Sequence, residues 1–209
     1  MKTLKLTAPM TALLICGVAN AGVSANLGFA SDYYFRGIFQ APTSANGGVD
    51  YDNGGFYVGT WAADLGPGNG LEVDGYFGYN GEVGDFGYTV GYTGYFYTGD
   101  FDDTYQEINL GGSYGFVAVD VAVGEYANFS GPTLDYTYYA LTLEKSGFYG
   151  KYAGFSQDFE GDYVELGYGT EIAGFDVGGY LLFNDSDLSG TGSSDEALVF
   201  TISKSFDIK

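Results

Sequence analysis

The chain has 209 residues, of which 36 are glycine and 39 are Phe, Tyr or Trp, with 27 acidic residues against 7 basic ones and no histidine. Glycine is disfavoured inside helices, whereas Tyr and Phe fit pleated sheet, so the composition argues against a helical or α/β domain and, being aromatic, against disorder. Without histidine no Ser-His-Asp triad, Cys-His pair or histidine metal cluster can be assembled, and the lone Cys16 lies in a segment expected to be removed, so the chain reads as a non-enzyme.

The first 21 residues predict a cleaved signal peptide: Lys2 and Lys5 supply the charged start, Thr11 to Val18 the apolar stretch, and Ala19-Asn20-Ala21 the small-x-small cleavage site. Removing that leader leaves five basic residues, Arg36, Lys145, Lys151, Lys204 and Lys209, against 27 acids, a net charge of −22. Such a field repels nucleic acid and anionic lipid headgroups and attracts cations. No run of 18 apolar residues follows, so a membrane could be crossed only by strands.

From Gly22 onward the sequence predicts twelve alternating segments ended by Gly, Asn, Asp or Pro, at about 23–36, 46–52, 55–63, 70–80, 85–97, 104–114, 116–126, 133–145, 147–157, 162–172, 174–184 and 195–206. The count falls to ten if 46–52 is loop. Tight turns at Asp52-Asn53-Gly54, Gly81 to Gly84, Gly115, Ser146-Gly147 and Ala173-Gly174 alternate with longer links at 37–45, 64–69, 98–103, 127–132, 158–161 and 185–194. Strict alternation of short and long connections predicts an all-β fold, an antiparallel up-and-down transmembrane β-barrel over 22–209 with its long loops at one end. A Greek-key sandwich would not give so regular an order.

Within strands, apolar and polar residues take opposite faces. Leu71, Val73, Phe77 and Tyr79 oppose Glu72, Asp74, Tyr76 and Asn80, and the Val117, Val119, Val121, Val123 stripe opposes Asp120. Ile108 and Leu110 oppose Glu107, Val164 and Leu166 oppose Glu165, and Phe175 and Val177 oppose Asp176. The segments 133–145 and 147–157 carry aromatics on both faces. At the end, Leu198, Phe200, Ile202 and Phe206 share one parity, interrupted by Lys204.

The run Ser31-Asp32-Tyr33-Tyr34-Phe35-Arg36-Gly37, with Phe56-Tyr57-Val58-Gly59-Thr60-Trp61, Glu72-Val73-Asp74-Gly75-Tyr76 and the closing Ile202-Ser203-Lys204, resembles the TorF family of proteobacterial proteins described as porins. That family is also called Gcw_chp, a name for conserved proteins of unknown role. Phe39 precedes Gln40 where the family usually has Ser. The resemblance spans nearly the whole mature chain. It implies a Gram-negative outer-membrane barrel with a channel role and brings no substrate.

This register places Asp32, Asp50, Glu72, Asp74, Glu107, Asp120, Glu165, Glu171 and Asp176 inside the barrel, with Arg36 and Lys151 as the main cations. Carboxylates in a narrow aqueous pore favour cations, so passive diffusion of small solutes with a cation preference is expected. The competing expectation is a lumen filled by its own side chains. Asp32 and Arg36 fall on one face of the first strand, with Arg36 reaching acids on a neighbouring strand.

A second pattern, Asp185-x-Asp187-x-Ser189-Gly190-Thr191 followed by Glu196, matches the ligand spacing of a calcium loop without its flanking helices. Asp100, Asp102, Asp103, Asp158, Glu160 and Asp162 make other long links acidic, and a related expectation is that divalent ions bridge them to lipopolysaccharide phosphates. Tyr33, Phe56, Trp61, Phe77, Tyr79, Phe86, Tyr114 and Phe116 read as interfacial girdle aromatics. Two rivals stay open: a non-conducting barrel acting as a structural, adhesive or receptor protein through acidic loops, and a secreted β-sandwich binding carbohydrate or calcium.

Overall fold

The computed structural model describes residues 21–208, so the predicted leader lies outside the described residues except for Ala21. Twelve antiparallel strands close into a barrel. Around the wall they run β1 (Gly22–Ala30), β4 (Ser44–Asn53), β5 (Phe56–Asp64), β6 (Leu71–Val83), β7 (Phe86–Tyr97), β8 (Tyr105–Tyr114), β9 (Val117–Tyr126), β10 (Leu134–Lys145), β11 (Phe148–Gln157), β12 (Asp162–Ile172), β13 (Phe175–Asn184) and β14 (Asp195–Ile208), which pairs back onto β1. The segment expected at 46–52 is therefore a wall strand, and the count is twelve. Closure leaves no unpaired edge, which matters where no water can satisfy the backbone.

Five connections are tight because glycine takes the positive φ they require. Gly54 and Gly55, Ser146 and Gly147, and Ala173 and Gly174 are consecutive positive-φ pairs, and Gly84 and Gly115 serve the other two turns. These turns and both ends of the described chain share one rim, the turn end. The longer links share the other, the loop end.

The alternation sorts as the pattern predicts. Outward residues such as Leu71, Phe77, Tyr79, Val90, Ile108, Leu110, Val119, Val123, Leu166, Leu198 and Phe200 are all exposed. Inward residues include Tyr57, Tyr76, Tyr95, Tyr136, Tyr138, Tyr163 and Tyr180, which are buried. The ambiguous β10 and β11 resolve the same way: Leu141, Leu143 and Tyr152 face out, while Tyr138, Ala140, Lys151 and Phe155 are buried within. The chain is thus inverted relative to a water-soluble protein, with its aliphatic surface outside and its polar and tyrosine-rich surface inside.

The first predicted strand is corrected. Wall strand β1 stops at Ala30, where Ser31 closes the ladder by donating its N–H to the Phe200 carbonyl and accepting the Phe200 N–H on Oγ, both at 2.9 Å. Residues 31–43 then leave the wall, and within them β2 (Tyr33–Phe35) and β3 (Ile38–Ala41) pair as a separate two-stranded hairpin. Its turn is Arg36-Gly37, with φ of 51° and 84°. Asp32 and Arg36 therefore do not share a strand face.

Candidate functional site: the lumen and its inward hairpin

The hairpin places Arg36 in the lumen, 8% exposed, where its guanidinium meets Glu107 on β8. Nη1 donates to Oε2 and Nη2 to Oε1, each at 2.7 Å, a two-bond fork. In the wall β8 lies five strands from β1, so the contact crosses the barrel rather than reaching a neighbouring strand. Glu107 also accepts hydroxyl bonds from Tyr95 and Tyr136, both at 2.8 Å, and an amide bond from Asn109 at 2.6 Å. The guanidinium carbon lies 4.1 Å from the Tyr138 ring centroid and 5.0 Å from that of Phe35.

Packing continues the clamp. Tyr33 and Ala41 of the hairpin form a buried cluster with Ala63 and Leu65, backed by Phe35, Trp61, Tyr97 and Phe101. On the opposite side the link after β13 turns inward: Leu188 is buried with Tyr163, and Asn184 Nδ2 donates to the Gly37 carbonyl at 3.0 Å. A methyl group at Gly37 would sit 2.7 Å from Tyr163 Cδ1 and 3.0 Å from Leu188 Cδ1, at a φ that side chains resist. Gly37→Ala should therefore weaken hairpin docking by about 1–3 kcal/mol, read as faster proteolytic cleavage within 31–43 of an otherwise intact barrel. Unchanged cleavage would show that the close fit at Gly37 is not needed.

Above the hairpin, aromatic rings crowd the loop end. Tyr105 stacks on Tyr126 at 4.3 Å, and Phe159 packs edge-on against Tyr105, Tyr126 and Tyr136. Asp102 receives the Tyr105 and Tyr126 hydroxyls at 2.9 and 2.7 Å. Below the hairpin a cavity of about 440 Å³ remains, reaching from Asn26 and Ser205 near the turn end to Arg36 and Asp74 under the hairpin.

The predicted lumen acids fall into three groups. Asp50, Asp74, Asp120 and Asp176 line the cavity, as does Arg36. Asp50 accepts from Tyr76 at 2.5 Å and from Asn26 at 3.4 Å. Glu72, Glu107 and Glu165 are buried in side-chain packing: Tyr33 donates to Glu72 Oε1 at 2.7 Å, and Lys151 Nζ lies 3.3 Å from Glu165 Oε2. Asp32, beside Ser31 at the entry to the hairpin, is half-buried, and Glu171 is exposed near the turn rim. The lumen is thus neither uniformly open nor filled, being packed toward the loops and hollow toward the turns.

Two girdle assignments are corrected. Tyr33 and Trp61 meet edge to face inside the barrel, centroids 6.1 Å apart, because the hairpin folds in and Trp61 takes inward parity on β5. Phe56, Phe77, Tyr79, Phe86, Tyr114 and Phe116 do face outward. The calcium pattern is not assembled as a coordination loop. Asp185 Oδ1 accepts the Asp187 and Leu188 N–H groups and its Oδ2 the Asp162 N–H, an ordinary turn arrangement. Ser189 and Thr191 bond each other, while Glu196 sits on β14 with the parity of outward Leu198. Among the described residues no group of three or more acidic, histidine or cysteine side chains could hold a metal ion. The sequence pattern does not predict the hairpin; its one local cue is Gly37 within an aromatic run, and the arginine before it is not a usual turn residue.

Residues 17–178 match the family described as bacterial protein of unknown function, Gcw_chp. The chain belongs to that family. No curated protein matches this Gcw_chp chain. Among solved structures it is similar to a BenF-like porin from Pseudomonas fluorescens Pf-5, at 11% identity and a TM-score of 0.45, covering 90% of this chain and 64% of that one. Pseudomonas aeruginosa OccK2 (OpdF) in complex with glucuronate gives 12%, 0.44, 90% and 68%, and an anion-selective porin from Comamonas acidovorans 14%, 0.43, 89% and 98%. The Gcw_chp chain thus spans about two thirds of the length of the Pseudomonas porins it matches.

Proposed function

We propose that this protein is a Gram-negative outer-membrane channel of porin type, passing small solutes by passive diffusion with a preference for cations. On this reading the loop end faces the cell exterior, the predicted leader directs export, and lipid and lipopolysaccharide surround the outward face. The resemblance to TorF porins points the same way. The observation that carries the proposal is the inverted barrel: an exposed aliphatic wall around a hollow lined by Asp50, Asp74, Asp120 and Asp176. Arg36, the cation at its roof, has its charge committed to Glu107. A low-dielectric wall around such carboxylates concentrates cations and repels anions.

The test is conductance of the refolded mature protein in a planar bilayer under a KCl gradient. The expected result is a small, stable conductance whose reversal potential has the sign of potassium selectivity. Anion selectivity would overturn the preference. Silence after verified insertion would favour the second reading, a non-conducting barrel, for which the Arg36–Glu107 clamp across the lumen is the specific support.

A further inference from the structure

Glu72 and Asp74 lie two apart on the inward face of β6, which brings their side chains side by side under the hairpin. Glu72 is 1% exposed and Asp74 9%. Glu72 uses one oxygen to accept the Tyr33 hydroxyl. Its Oε2 and Asp74 Oδ1 are both buried and find no hydrogen-bond partner among the described residues. Two adjacent buried carboxyls, each with an unpartnered oxygen, are costly to ionise unless something positive joins them. Arg36 gives both terminal nitrogens to Glu107, and its Nε is likewise buried without a hydrogen-bond partner. Glu107 is thereby matched with Arg36, and Glu72 and Asp74 are left as the carboxyl pair without a salt-bridge partner among the described residues.

We propose that Glu72 and Asp74 form a binding site for a partly hydrated divalent cation of the calcium or magnesium class, entered from the cavity. The chemistry fits on three counts. Hard cations take oxygen ligands, and magnesium in particular is held by one or two carboxylates while keeping several waters. When both carboxyls are ionised, their combined charge is the one that a single divalent ion balances. Asp74 lines the cavity and Glu72 stands behind it toward the loop end, so an ion arriving from the hollow meets Asp74 first. Through Tyr33 the site touches the hairpin, so occupancy would hold the hairpin in place. This inference deepens the reading of the lumen as a cation path and rests on it.

Trp61, the only tryptophan of the chain, is the direct register partner of Asp74 across β5 and β6, and both line the cavity. Directly opposed residues have Cβ atoms about 5 Å apart, so a lanthanide at Asp74 would be sensitised by that indole. The refolded barrel is titrated with terbium and excited at the red edge of tryptophan absorption. We expect sensitised terbium emission that calcium or magnesium displaces. Affinity should fall at least tenfold in Glu72→Gln and in Asp74→Asn, and stay unchanged in the loop variant Asp185→Asn. Trp61→Phe, which keeps both carboxylates, should abolish the signal without abolishing the barrel's heat-modifiable migration.

Absence of sensitised emission from the wild-type barrel, or emission that survives both carboxylate substitutions, overturns the site. The wild-type titration and its competition by calcium need no variant to fold. A barrel that binds terbium beside Trp61 yet carries no current supports the site and overturns only the channel reading. A cation-selective current without sensitised emission does the reverse.

Discussion

Arg36→Ala is expected to free the β2–β3 hairpin and raise single-channel conductance severalfold while the barrel stays folded. The wall ladders do not pass through the hairpin, which pairs only with itself as a two-stranded sheet, so its release leaves all twelve wall strands hydrogen-bonded. What is lost is the fork to Glu107 and the stacking on Tyr138. Removing one partner of a buried pair costs about 3–5 kcal/mol because the other charge is stranded. Here Tyr95, Tyr136 and Asn109 still donate to Glu107, which puts the loss toward the lower end. Arg36→Lys should fall between, since an ammonium keeps the charge but not the planar two-bond geometry. Glu107→Gln should mimic Arg36→Ala, and the double variant should add little, the mark of one shared interaction. Conductance and cleavage within 31–43 that stay at the wild-type values in all four variants would show that the pair does not hold the hairpin.

The barrel was legible in the sequence, and the reason is physical. A wall strand has one face outside the barrel and one on the lumen, so each must alternate, and the alternation survives in Leu71 to Tyr79 and Val117 to Val123 without knowledge of any partner. Turn glycines such as Gly54, Gly84 and Gly147 announce themselves because few other residues accept their φ. The inward hairpin was not legible. Tyr33-Tyr34-Phe35 continues the wall strand's composition, and its turn uses arginine where Asn or Asp would normally precede glycine. Arginine at φ 51° is tolerated because the Glu107 fork and the Tyr138 ring hold it there, and these partners lie 71 and 102 residues away. Periodicity in one strand cannot report a contact across the lumen. For the same reason parity identified Glu72, Glu107 and Glu165 as inward residues without showing that they are buried in packing while Asp50, Asp120 and Asp176 line the hollow.

Leu110→Arg should be the most damaging single substitution on the outward face. Leu110 sits midway along β8, flanked in register by Val90 on β7 and Val121 on β9, and it is exposed. If that face meets the hydrocarbon core, an arginine near the midplane costs about 2–4 kcal/mol, whereas the same change near a rim costs about 0–1 kcal/mol. Phe116→Arg, at the turn rim between β8 and β9, supplies the comparison. Reversible denaturant unfolding from lipid vesicles should show a large drop in midpoint for Leu110→Arg and a small one for Phe116→Arg. In water the order would vanish, because an exposed arginine is well solvated at either position and surface substitutions rarely exceed about 0.5 kcal/mol. A depth-dependent penalty would thus establish that the aliphatic wall is a membrane surface, independently of whether the lumen conducts. Equal, small effects at both positions would remove the bilayer from the account and leave the exposed aliphatic wall in need of another partner.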